Sequence, residues 1–201
     1  SAATPAPMRH WLFHPLIFYP LAILVAALLI GFSLQPQRWA REAEPVAAQQ
    51  VEGALVYRGA GFDRPDSSPE QYMTVVRDFL GRPQALRIAV KPDQPPPTAA
   101  ERGVRVLMTP DDAARIADRP VTVEVTYTPS PVNAASGLAV SLQGAGPAEW
   151  VAQEIPPQPN TVRFDLPAHM AVNAIGLRAI SSNNDQAYGL EITRIRVTPR
   201  A

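Results

Sequence analysis

The chain has 201 residues, 18 basic and 18 acidic side chains, three histidines and no cysteine, for a formal net charge of zero. Balanced charge with no basic cluster gives no electrostatic ground for binding nucleic acid, and the lack of cysteine removes disulfides and thiol chemistry from consideration. Of the basic residues 17 are arginine and only Lys91 is lysine, which with abundant Ala and 23 Pro indicates a GC-rich bacterial source.

Between Arg9 and Arg38 no Asp, Glu, Lys or Arg occurs, and Leu16 to Leu34 is a nearly unbroken apolar run. That length matches the ~20 apolar residues a helix needs to cross ~30 Å of hydrocarbon. A transmembrane helix is expected over 11–34, after a cytoplasmic tail over 1–10. The run exceeds a signal peptide's apolar core, and Gln35-Pro36-Gln37-Arg38-Trp39 offers no cleavage pattern. With Ser1 read as the residue left by loss of an initiator Met, an uncleaved signal anchor is the expectation. Trp11 and Tyr19 near one end and Trp39 at the other fall where amphipathic rings favour the headgroup layer. Counting Arg alone favours the opposite topology, but an extreme N-terminal helix ahead of one long domain places the N-terminus in the cytoplasm. The protein is thus expected in the cell inner membrane, single-pass, with its C-terminal domain in the periplasm.

Two further features of this segment carry expectations. Ala22-x-x-x-Ala26 and Ala27-x-x-x-Gly31 are spacings that permit close helix approach, hence docking against an integral membrane protein. His10 and His14 stand at i and i+4, a spacing able to ligate haem or a pigment; at the aqueous boundary beside Pro15 they are read as solvated. No cofactor is expected.

Residues 35–50 are polar and read as a linker or helical stalk, leaving 51–201 for one domain. There the pattern becomes short alternating runs broken by Pro and Gly. Val121, Val123, Val125 and Tyr127 alternate with polar residues, the period-two signature of a half-buried strand. The same alternation recurs at Leu86 to Val90, Leu138 to Leu142, Val162 to Leu166 and Ile175 to Leu177. Over Tyr188 to Val197 the parity breaks, and a bulge near Thr193 or Arg194 would restore a common buried face. Thr109-Pro110-Asp111-Asp112 supplies an N-cap, a first-turn proline and first-turn acids, predicting a short helix near 110–117. The fold class is therefore all-β: an antiparallel β-sandwich of jelly-roll type with one N-terminal transmembrane helix and one short helix.

On these residues, and above all on the closing strand Tyr188-Gly189-Leu190-Glu191-Ile192-Thr193-Arg194-Ile195-Arg196-Val197, the stretch from Gly103 to Thr198 resembles the galactose-binding-domain-like or carbohydrate-binding-module-like jelly roll. The resemblance implies a binding or scaffolding module without catalysis. In sugar-binding members the ligand stacks on exposed aromatic rings. That points first to Trp150, beside Gly144-Ala145-Gly146-Pro147, and after it to Tyr127 and Tyr188, as ligand or partner contacts.

Catalytic and metal signatures are weak. Ser181 or Ser182, His169 and Asp165 form a triad only on paper, with no nucleophile elbow, and no HExxH, P-loop or GxGxxG occurs. Asp63 to Ser68 is oxygen-rich but short of the ligands Ca²⁺ requires. The chain is expected to be no enzyme and to hold no metal. The leading expectation is an accessory subunit of a photosynthetic or respiratory type of membrane complex, in contact with lipid and making protein–protein contacts. The alternative is a tethered carbohydrate-binding module acting on envelope polysaccharide. A packed Trp150 points to the first, an exposed Trp150 on a concave face to the second.

Overall fold

The computed structural model describes residues 14–34, 41–95, 98 and 100–201, in two separate units divided between Trp39 and Ala40. In the first, helix α1 spans Pro15–Leu34. Pro15 opens it, where a missing N–H costs nothing, and the amides of Ile17 and Phe18 donate to the His14 carbonyl at 2.8 Å. Its 20 residues give about 30 Å of length. It is long and apolar enough to cross a membrane, as an anchor or a signal sequence would be. Tyr19, Ala22, Ala26, Ala27 and Gly31 are all exposed on it. Trp11, Trp39 and His10 lie outside the described residues.

The second unit is a β-sandwich. Its strands are β1 (Gln49–Val51), β2 (Ala54–Tyr57), β3 (Gln71–Arg77), β4 (Pro83–Val90), β5 (Val104–Leu107), β6 (Val121–Pro129), β7 (Gly137–Gln143), β8 (Val151–Glu154), β9 (Asn160–Leu166), β10 (Ala174–Ile180) and β11 (Tyr188–Pro199). Every ladder between them is antiparallel. The larger sheet is organised on β11. One flank pairs with β6 along its length, and β9 lies beyond; the other pairs first with β4 and then with β2, which therefore lie end to end. The register slips between Ile192 and Arg194, where the sequence parity breaks, and the Thr193 hydroxyl bonds the Thr126 carbonyl. The bulge turns Leu190 and Ile192 to the same buried face as Ile195 and Val197. The smaller sheet runs β5-β10-β7-β8.

One core joins the two sheets. Leu86, Ile88, Val123, Val125, Phe164 and Ile192 from the larger meet Val104, Leu138, Val140, Ile175 and Leu177 from the smaller. Helix α2 (Pro110–Ile116) forms as its start signal specifies: the Thr109 hydroxyl accepts from the Asp112 amide, and Ile116 is buried.

Two expectations are corrected here. First, β7 is not half-buried: all seven of its residues are buried. A second layer covers the outer face of the smaller sheet, with the Gln143 amide donating to the Arg102 carbonyl at 2.7 Å and to the Ser141 hydroxyl at 2.8 Å. Gly176 lies beneath that pair, where any Cβ would collide with both side chains. Second, the described part of the expected stalk, 41–50, is neither helical nor free of the domain, and its last two residues already belong to β1. The Glu44 amide donates to the Arg64 carbonyl, and the Ala48 amide to the Asp112 carboxylate at 2.8 Å. Arg41 pairs with Asp63 at 2.9 Å. Polar composition reads as solvated linker when the ion-pair partners are distant in sequence.

Candidate functional site

A cleft of about 470 Å³ opens at the end of the sandwich where β3 begins and β4 and β10 end. Its charged and amide walls include Glu70, Lys91, Glu101, Arg178, Asn183 and Asn184. Gln71 fixes the geometry by joining the sheets: its side chain donates to the Ala179 carbonyl at 3.3 Å and accepts from the Ala179 amide at 3.1 Å. The loops at the mouth are tied together by the Asp93 amide on the Asn184 carbonyl.

The chemistry at the cleft floor is a buried ion pair with poor geometry. Arg178 Nη1 lies 3.4 Å from Glu101 Oε2, and the two side chains are only 11% and 8% exposed. Burial pushes the Glu101 carboxyl above its ordinary value; Arg178 opposes this and the charge of Glu70 adds to it. Burial likewise lowers the Arg178 guanidinium, against the pull of Glu101 and Glu70. Both partners therefore hold their charge at a cost that one long contact does not offset. A ligand supplying polar groups to either would recover part of it.

Trp150 backs this pair instead of displaying its ring. The guanidinium carbon of Arg178 stands 4.7 Å from the indole centroid, and Trp150 Nε1 donates to the Glu101 carbonyl at 3.2 Å. The edge of the ring presses on Gly103, whose backbone is left-handed at φ +63°; a Cβ there would sit 2.7 Å from Trp150 and from the Leu177 carbonyl. Tyr127 is in the core, 1% exposed, with its hydroxyl on the Pro156 carbonyl at 2.9 Å. Tyr188 is half-buried and donates to Asp185 at 2.7 Å. The three aromatics singled out from the sequence thus do not form one stacking platform.

The remaining sequence candidates separate in the same way. Asp165 bonds Thr122 and Arg163, Ser181 accepts from the Asn183 amide, and no hydrogen bond links either to His169 among the described residues. The loop carboxylates are occupied by arginines, Asp63 with Arg41 and Arg77, and Asp66 with Arg105. Sequence reasoning did not single out Glu70, Glu101 or Arg178. The available signal was an arginine at an outward position of a strand facing a proline-rich loop, which is faint.

No family model and no curated protein matches this chain. Among solved structures it is similar to the apo CBM1 of BiXyn10A, at 12% identity and a TM-score of 0.42, covering 75% of this chain and 99% of that one. It is also similar to the CBM22-1 xylan-binding domain of Paenibacillus barcinonensis Xyn10C, at 14% identity and a TM-score of 0.45, covering 78% of this chain and 99% of that one. The CBM22-1-CBM22-2 tandem from the same protein is matched at 14% identity and a TM-score of 0.45, over 79% of this chain and 48% of that one. These neighbours are carbohydrate-binding modules, as the resemblance of Gly103 to Thr198 led one to expect; likeness at this level carries no argument about what the chain binds.

Proposed function

We propose that this chain is a non-catalytic, single-pass accessory subunit of a larger complex in a bacterial inner membrane. In this reading α1 is the anchor, Ala22, Ala26, Ala27 and Gly31 form its packing stripe, and the sandwich lies in the periplasm. The cleft takes a polypeptide segment of the partner. The observation that supports this is the cleft wall itself: charged, amide and aliphatic groups line it, and no aromatic ring does so among the described residues. Such a wall suits a chain of mixed polarity better than a stacked sugar. The test is extraction of the native membrane in gentle detergent, size separation and mass spectrometry of co-migrating proteins. Stoichiometric travel with a large membrane complex is expected; solitary migration sinks the reading.

The second reading, a tethered module for envelope polysaccharide, is favoured by one feature. Glu70, Lys91, Glu101, Asn183 and Asn184 crowd donors and acceptors into one cleft, the kind of lining that hydroxyl-rich ligands use. Titration of the full chain with peptidoglycan fragments or neutral glycans would register it as saturable binding lost in Glu101→Gln.

A further inference from the structure

Arg178 lies at the cleft floor with one edge of its guanidinium unused. Its Nη1 reaches Glu101 Oε2 at 3.4 Å, and the group stands 4.7 Å from the Trp150 ring centroid. The other edge, formed by Nε and Nη2, has no hydrogen-bond partner among the described residues. Arg105 shows what that edge does elsewhere in this chain: its Nε and Nη2 both donate to Asp66 Oδ2, Nε at 3.0 Å. Arg163 directs the same two nitrogens at Asp165. Two parallel N–H groups on one rigid edge match the two oxygens of a carboxylate.

The second cation of the cleft also lacks a counter-ion. Lys91, the one lysine of the chain, stands 5.3 Å from the Tyr72 ring centroid, and it has no ion-pair partner among the described residues. The two cleft carboxylates are each engaged by a group of the domain: Glu70 accepts from the Ser68 hydroxyl, and Glu101 from Arg178. Two cations and two carboxylates line the cleft, so it suits a singly charged anion better than a doubly charged phosphate, which Glu70 and Glu101 would repel. Gln94, Ser181, Ser182, Asn183 and Asn184 supply amides and hydroxyls along the same walls, donors and acceptors that peptide backbone can use.

We infer that Arg178 anchors a carboxylate of the polypeptide seated in the cleft, gripping it through Nε and Nη2, with Lys91 adding positive charge from the wall. This deepens the polypeptide reading of the cleft and rests on it. The carboxylate belongs to a chain terminus or to an acidic side chain, which present the same planar pair of oxygens. Its arrival sets a third negative charge beside Glu70 and Glu101, opposite Lys91 and Arg178. Glu101 is the group that yields, because its side chain is only 8% exposed and burial already raises its carboxyl. Binding therefore takes up a proton from solvent at Glu101 and strengthens as pH falls below neutral.

The test titrates the full chain, isotope-labelled and held in an uncharged polyoxyethylene detergent, and follows the Arg178 Nε–H and Asn183 amide resonances by NMR. The probes are acetyl-tetraalanine with a free C-terminus, its C-terminal amide, an amide-capped analogue carrying one glutamate, and an oligogalacturonate. Expected is a saturable shift of Arg178 Nε–H with a carboxylate-bearing peptide and none with the amide; which of the two carboxylate peptides binds identifies the source. Read at Asn183, Arg178→Lys should weaken binding about tenfold through loss of the fork, and Lys91→Gln about threefold. Glu101→Gln should keep the binding and flatten its pH profile, whereas the glycan reading has binding lost in that variant. If the amide moves Asn183 as strongly as the free acid does, with Arg178 Nε–H still, the carboxylate anchor is overturned and the polypeptide reading stands. Cleft resonances moved by the oligogalacturonate alone, or by no probe, overturn the polypeptide reading and the anchor with it.

Discussion

Each end of the sandwich buries an arginine, and the two are treated differently. At the end closed by the β3–β4 hairpin Arg77, 4% exposed, donates to Asp63 Oδ1 at 2.6 Å, to the Asp63 carbonyl at 3.0 Å and to the Gly81 carbonyl at 3.2 Å. At the cleft end Arg178 has one contact of 3.4 Å to Glu101 and an indole face. The carboxylates register the contrast. Burial alone would raise Asp63, but its bonds to Arg77 and Arg41 outweigh it and hold the group below its ordinary value, whereas burial prevails at Glu101. A satisfied buried pair locks structure; a poorly satisfied one at a cleft floor stays available to an outside partner.

The sharpest test of that contrast is removal of each carboxylate charge. Asp63→Asn strips the buried Arg77 of its ion-pair partner and should destabilise the domain by about 3 kcal/mol, seen as an earlier urea midpoint in the strand circular-dichroism signal. Glu101→Gln should cost about 1 kcal/mol or less, since the lost attraction is set against relief of a buried carboxylate. A larger loss from Glu101→Gln than from Asp63→Asn would reverse the comparison. Trp150→Ala falls between, at about 2 kcal/mol, because the ring is half-buried, backs Arg178 and bonds Glu101. It should also speed amide exchange at Gly103 and Arg178.

Acid should separate the ends in order. Glu101 binds its proton more tightly folded than unfolded, so its ionisation weakens the fold as pH rises above its ordinary 4.5 and through its raised value. Lowering pH from neutral relieves that cost. Asp63 behaves oppositely: its contribution is full above the ordinary 3.8 and is lost as pH falls through its depressed value. Carboxyl-carbon titrations by NMR should place Glu101 above and Asp63 below these references, and coincident midpoints would erase the distinction.

Much of the larger sheet was legible because its strands keep one face dry. Val121 to Tyr127 alternate cleanly, and the parity break near Thr193 or Arg194 marks the bulge that the register shows between Ile192 and Arg194. Strand β2 escaped because Ala54, Leu55, Val56 and Tyr57 are all buried, which leaves no period to detect. The cleft escaped for a different reason. Glu70, Lys91, Glu101 and the stretch from Arg178 to Asn183 are four separate places in the sequence, so only the pairing of β3 with β4 and the cross-sheet bonds of Gln71 bring them together. Local pattern reports which face of an element is buried, and says little about which sequence-distant polar groups share an end of the fold.

The smallest expected effect on stability bears on the turn of the β3–β4 hairpin. Replacing Phe79 and Leu80 together by Ser should change the unfolding free energy by no more than about 0.5 kcal/mol, the range of ordinary surface substitutions. The turn is held by the Asp78 carboxylate and carbonyl and by the left-handed Gly81, none of which the double variant touches. An apolar pair 77% and 67% exposed, on a turn held by other groups, is displayed rather than packed. Urea denaturation in detergent and in its absence gives the check. A loss above about 1 kcal/mol without detergent would mean that both side chains support the fold, and the tip would then resemble the cleft floor, where Trp150 serves packing instead of display.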